Sequence, residues 1–156
     1  MIKEAFIQYL EDQLSGKIRS LQHELDQLRT DIASDSKSTA GDKHETSRAM
    51  AQLEMEKLGK QLSDYQLQLQ WVRQLQLQEH NSSETVTVGS LIQLSNGWYF
   101  LGPGIGKINY PENSVFCIST QSPIGQQLLN KKIGQEIILP NLNLKIVSIT
   151  WSGLYY

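Results

Sequence analysis

The chain is poor in several things, and each scarcity excludes a class of protein. Its single cysteine, Cys117, leaves no partner for an internal disulfide and fits a reducing compartment. No segment approaches the roughly 20 apolar residues of a membrane span. The opening MIKEAFIQYLEDQ is charged and helix-periodic, without the continuous apolar core of a signal peptide. No membrane association is expected, and a cytoplasmic location is. Charge of one sign is also lacking: 14 basic residues face 16 acidic ones, for a net charge of −2. Before Asn81 the balance is 10 basic to 13 acidic, and from there on it is 4 to 3. Neither half is a polycation, so tight autonomous binding to nucleic acid is not expected. A protein partner is. The three histidines, His23, His44 and His80, all precede the segment around Cys117. A cysteine nucleophile needs a histidine base within reach, so thiol catalysis is rejected. Cys117, set in Val115-Phe116-Cys117-Ile118, reads instead as a small core residue.

What the chain does have is a long, regular apolar repeat that occurs twice. The first run is Ile7, Leu14, Ile18, Leu21, Leu25, Leu28, Ile32, with steps alternating four and three after Leu14. The second is Ala51, Met55, Leu58, Leu62, Tyr65, Leu69, Val72, alternating likewise. That alternation is the seam of a coiled coil. Folding the chain at Gly41-Asp42 aligns Ile32 with Ala51, Leu28 with Met55, Leu25 with Leu58, Leu21 with Leu62, Ile18 with Tyr65 and Leu14 with Leu69. Between the arms, Ser34 to Gly41 is small and polar and breaks the period. Asp42 is placed to cap the second helix, with Glu45 three residues on as its capping-box partner. Two arms of about 30 residues make a rod about 45 Å long. Lys17, Arg19, Arg29, Lys57, Lys60 and Arg73 alternate with acids, as on a solvated rod surface.

From Thr85 the pattern changes to short β-branched and aromatic runs: Thr85–Val88, Leu91–Leu94, Trp98–Leu101, Val115–Thr120, Glu136–Leu139 and Leu144–Ile149. Asn96-Gly97 reads as a hairpin turn, and Gly102 to Gly106 as a loop or bulge. Ser122 caps a short helix with Pro123 at its first position. The fold class expected is α+β: a long antiparallel coiled-coil hairpin over residues 1–80, its acidic tip at about 34–46, then a small antiparallel β domain with one short helix over 81–156.

These residues resemble a known family. The segment SVFCISTQSPIGQQLLNKKIGQEIILPNLNLKIVSI is similar to the C-terminal domain of the Gre transcript-cleavage factors, GreA and GreB. There a strand leads into a Ser-Pro-(Ile/Leu)-(Gly/Ala) turn, a short helix, a Lys-x-x-Gly-(Asp/Gln) loop and two closing strands. Here those elements are Ser122-Pro123-Ile124-Gly125, Leu128-Leu129 and Lys132-Ile133-Gly134-Gln135. Gly41-Asp42-Lys43-His44-Glu45 resembles the family's Gly-Asp-x-x-Glu tip. Two departures mark a divergent branch. The family's Thr-x-x-Gly opening has no counterpart before Ile7, and Glu45-Thr46-Ser47-Arg48-Ala49 stands where the family has Glu-Asn-Ala-Glu-Tyr.

The resemblance implies an FKBP-like second domain and a monomeric factor that binds RNA polymerase at its secondary channel. It implies that Asp42 and Glu45 stimulate the polymerase's own cleavage of backtracked RNA at the nascent 3′ end. They would hold a Mg²⁺ shared with the polymerase, and the chain alone would carry no cofactor and no enzymatic activity. Ser122, Pro123, Lys131 and Lys132 are the candidate docking residues. Asp35, Lys43 and His44 are secondary candidates at the tip. Two other readings stay open. One is a secondary-channel regulator or inhibitor without cleavage, and the other is an adaptor that uses its coiled coil as a spacer.

Overall fold

Both apolar periods are helical. A computed structural model describes residues 1–35, 41–78 and 84–150 of the chain, and the side chains at positions 35, 42 and 44 lie outside that description. Helix α1 runs Lys3–Asp35 and α2 runs Gly41–Leu77. The turn expected at 34–41 falls largely outside the described residues, and so does the boundary expected between residues 80 and 81. Among the described residues, no helix is long and apolar enough to cross a membrane. The chain divides into two compact units, Asp12–Leu69 on one side and Met1–Glu11 with Gln70–Tyr156 on the other.

The unit Asp12–Leu69 is an antiparallel helical hairpin. Leu21, Leu25 and Leu58 form its buried core, with Leu28, Met55, Leu62 and Tyr65 packed against them. All seven belong to the two runs that the four-three spacing sets. Leu14, Ile18 and Leu69 continue the buried seam, and Ile32 and Ala51 are half-buried. The Lys17 ammonium lies 5.2 Å from the Tyr65 ring centre, a cation–π contact between the arms worth about 0.5–1 kcal/mol at an exposed site.

The second unit is built on a six-stranded sheet. Its strands are β1 (Leu91–Leu94), β2 (Gly97–Leu101), β3 (Gly106–Tyr110), β4 (Asn113–Ile118), β5 (Glu136–Leu139) and β6 (Leu142–Thr150), with α3 (Pro123–Leu128) between β4 and β5. Their order is β3-β4-β2-β1-β6-β5. Every neighbouring pair is antiparallel except β2 and β4, which run parallel. The parallel pair arises because the chain leaves β2, forms β3 at the edge and turns back as β4. The sequence reading ends its loop at Gly106 and names no strand before Val115, but Gly106–Tyr110 pairs along its whole length with Asn113–Cys117. Pro111-Glu112 makes the turn, with Glu112 at φ 69° in the position after proline where a type II turn needs positive φ.

Thr85–Val88, expected as a strand, is not one. Only Thr85 makes a bridge, to Lys132. Val86 exchanges backbone hydrogen bonds with the loop after α3, donating to Lys131 O (2.8 Å) and accepting from Asn130 N (2.9 Å). The hydroxyl of Ser90 then accepts from Thr87 N, and Gly89 at φ 90° turns the chain into β1. The Asn96-Gly97 turn is offset by one residue: Leu94 pairs with Gly97, so Ser95 and Asn96 form the loop.

One face of the sheet packs Ile92, Leu94, Tyr99, Leu101, Ile137, Leu144, Ile146 and Ile149 around Leu128 of α3 and Val86. A bulge at Val147 makes this possible. Gln93 pairs with Ser148 and Leu94 with Ile146, so β6 carries an extra residue and its inward phase shifts from 144 and 146 to 149. The other face presents the cross-strand row Leu91, Phe100 and Cys117, all buried. Phe6 and Leu10 from the start of α1 and Leu75 from the end of α2 are fully or nearly fully buried in this same unit. Phe6 meets the Phe100 and Tyr110 rings edge to face at 5.4 and 5.5 Å, and the Tyr9 hydroxyl donates to Asn109 O at 2.8 Å. Arg73 and Glu11 form a 2.7 Å ion pair between the two helices.

Cys117 is buried, and burial pushes its thiol from an ordinary 9.0 up to about 12. Folding therefore favours the protonated thiol. Stability is untouched below pH 9.0 and falls between there and about pH 12, where the unfolded chain releases a proton that the folded chain retains. At pH 8 the native thiol should stay unlabelled by Ellman's reagent over hours and react fully in denaturant. Rapid labelling of the folded chain would contradict this.

Candidate functional site

The tip acids stand in the first turn of α2. That helix begins at Gly41, so Asp42 is a helical residue and not the N-cap that the sequence suggests. Positions 42 and 45 are three apart and share a helix face. Glu45 and Lys43 are exposed, and the Ser47 hydroxyl donates back to Lys43 O at 2.9 Å, closing the first turn. Within the hairpin unit, the antiparallel register places this turn at the end remote from Leu69. The rise from Glu45 to Leu69 is about 36 Å. Among the described residues, no three Asp, Glu, His or Cys side chains gather into a metal-binding group. Carboxylates at these two positions would supply hard oxygen donors of the kind Mg²⁺ takes, but only a minority of its six.

The candidate docking residues sit at the two ends of α3. Ser122 is the N-cap: its hydroxyl accepts from Gly125 N at 3.0 Å and donates to Ser119 O at 2.8 Å. Its polar atoms are thus engaged within the fold, while Pro123 beside it is exposed. Past the other end, the Lys131 ammonium donates to Glu136 O at 3.1 Å and Lys132 lies 3.8 Å from Glu84, both ends of that pair well exposed. The helix between these pairs is six residues, about 9 Å. Of the four, Pro123 and Lys132 present themselves outward.

Sequence reasoning missed the exposed apolar side chains of the sheet unit. Ile133, Ile138 and Leu142 are exposed, Ile138 at 64% while its neighbour Ile137 is at 0%. The signal was there: Ile137-Ile138-Leu139 lies in a strand with period two, so one isoleucine must point away from the core. The backbone of Ile138 is not free for another strand. The Gln127 side chain donates to Ile138 O (2.6 Å) and accepts from Ile138 N (2.8 Å), closing the outer edge of β5. What this edge offers a partner is side chains and not backbone.

The molecule is an α+β protein made of a helical hairpin and a six-stranded sheet unit, with positions 42 and 45 in the first turn of α2 and several exposed apolar side chains on the sheet unit. It is similar in structure to GreA factor homolog 1 (Gfh1) of Thermus thermophilus, at 18% identity over 92% of this chain and 94% of that one, with a TM-score of 0.34. Thermus aquaticus Gfh1 is similar at 17% identity over 96% of each chain, with a TM-score of 0.33. A further structure of the transcription factor Gfh1 shares 17% identity over 89% of this chain and 92% of that one, at a TM-score of 0.35. No protein-family model matches the chain, and no curated protein does.

Proposed function

We propose that this chain is a transcription factor that binds RNA polymerase at its secondary channel and stimulates the polymerase's cleavage of backtracked RNA. One observation carries the reading. The zipped register of α1 and α2 puts Gly41-Asp42-Lys43-His44-Glu45, the segment resembling the Gre tip, at the far end of the hairpin unit with Glu45 exposed. Asp42 and Glu45, one helical turn apart in sequence, would share in holding a Mg²⁺ with the polymerase, and that ion would supply a water-derived nucleophile and charge stabilisation. Pro123 and Lys132, the outward members of the candidate docking set, with the exposed Ile138 on β5, are the residues that would meet the polymerase.

A second reading keeps the binding and drops the cleavage. It is favoured by Thr46-Ser47-Arg48-Ala49 directly after Glu45, where the family has Asn-Ala-Glu-Tyr. Stalled elongation complexes separate the two. With wild-type protein the transcript should shorten, and Asp42→Ala should slow that shortening by about 100-fold, the scale for removing a group that acts on transition-state charge. If wild type binds the complex and leaves the transcript intact while depressing initiation, the second reading holds. Failure to bind polymerase at all removes both and leaves the adaptor.

A further inference from the structure

Near its start, helix α2 turns a short uncharged strip away from the hairpin seam. Ala49 and Met50 lie four and three residues before Leu53, so the three share one side of the helix. That side faces away from Ala51, Met55 and Leu58, which belong to the seam. All three strip residues are exposed, Met50 at 68% and Leu53 at 65%. The other arm of the hairpin differs. Among the described residues of α1 from Asp12 onward, no large apolar side chain is exposed. Toward the same end of the hairpin, α1 carries charges that are satisfied within the helix: Arg29 pairs with Asp26 at 3.5 Å, and the Thr30 hydroxyl donates to Asp26 O at 2.9 Å. The hairpin end therefore has one side suited to water and one that is not. The strip lies wholly inside the unit Asp12–Leu69.

We propose that Met50 and Leu53 seat on an apolar protein surface inside the polymerase, so that the hairpin enters its partner with α2 against the wall and the outer side of α1 toward water. The inference rests on the function proposed above and adds to it the side by which the probe is held. Two features choose the occupant. The first is continuity with the tip: the rise from Glu45 to Leu53 is about 12 Å, so a channel that receives Glu45 at its inner end also closes around Leu53. The second is chemistry. The strip holds no cation that could neutralise a phosphate, so it is not shaped for the transcript. Apolar side chains left in water by the fold gain free energy by meeting another apolar surface. The self-paired charges of α1 gain nothing from such a surface and would lose hydration against it.

Photocrosslinking of the full chain on stalled elongation complexes tests it. A benzophenone side chain installed in place of Leu53 should form an adduct with a polymerase polypeptide, and none with the transcript. The same group in place of Thr30, on the outer side of α1, should give far less. Changing Met50→Glu and Leu53→Glu together should weaken binding about tenfold in competition against labelled wild type, while Thr30→Glu should leave it unchanged. Both strip positions are exposed and glutamate is a good helix former, so circular dichroism should show the helices intact. The inference is overturned if wild type binds and the two crosslinking positions give equal yields, if the adduct from position 53 is with RNA or with a second copy of the chain, or if the double variant binds as wild type does. A wild-type chain that does not bind polymerase sinks the proposed function, and this inference with it. That failure is read on wild type alone, and so is told apart from the others.

Discussion

Replacing Phe6 with Ala should destabilise the sheet unit by about 4 kcal/mol, the range for emptying a fully buried aromatic site. Phe6 is 0% exposed and lies edge to face against Phe100 and Tyr110, at interplanar angles of 64° and 79°. Loss of the ring removes apolar burial, two aromatic pairs worth about 0.5–1.5 kcal/mol each, and the wedge that seats the start of α1 on the sheet. For a chain of this size that corresponds to a fall in Tm of about 8–16 °C. Urea unfolding followed by tryptophan fluorescence measures it. Phe6→Leu should recover more than half the loss, and Tyr9→Phe, which deletes only the bond to Asn109 O, should cost about 1 kcal/mol. A Phe6→Ala penalty below about 1 kcal/mol would mean that the first turns of α1 are not part of the sheet unit's core in solution.

Gly125→Val should be the most damaging change near the docking surface. A Cβ built on Gly125 falls 1.9 Å from the carbonyl oxygen of Ser119 and 2.9 Å from the Ser122 hydroxyl oxygen. That carbonyl is held close because it accepts from both Ser122 N (3.1 Å) and the Ser122 hydroxyl (2.8 Å), folding the chain tightly under the start of α3. Backbone cannot swing aside as a side-chain end can, so α3 must shift and the Ser122 cap must open. Overpacking and a lost cap together should cost about 4 kcal/mol. Gly59→Ala is the internal control. Its Cβ enters open space in the middle of α2, and it should gain about 1 kcal/mol from helix propensity alone. Thermal unfolding should move the two variants in opposite directions. A Gly125→Val chain that melts within a few degrees of wild type would contradict the packing argued for the start of α3.

The hairpin was legible because a coiled-coil seam is written in local spacing. Leu21, Leu25 and Leu58 are buried together where their intervals place them. The α3 cap was legible too, since Ser122 and Pro123 act through bonds that span three residues. The seam reading was incomplete at the base of the helices: Ile7 and Val72 are buried as expected, but so are Phe6, Leu10 and Leu75, which the seam leaves out. There the apolar face leaves the coiled-coil line because the helices meet a sheet as well as each other. Strand β3 was hidden in a glycine-rich stretch, and its identity depends on pairing with β4. At the candidate site, Asp42 and Glu45 were visible from the family-like tip segment. The exposure of Ile138 was not, since Ile137 and Ile138 are chemically alike and only the pleat distinguishes them.

The sequence by itself therefore determined the two helices, the apolar seam of the hairpin, the α3 cap and the place of positions 42 and 45 near the start of α2, because each follows from contacts between residues a few places apart or from one uninterrupted period. Only the tertiary structure decided the parallel pairing of β2 with β4, the bulge at Val147, the seating of Phe6 against Phe100, and which isoleucine faces outward. Those features rest on contacts between segments distant in the chain, and no local pattern selects among the pairings open to a short apolar strand.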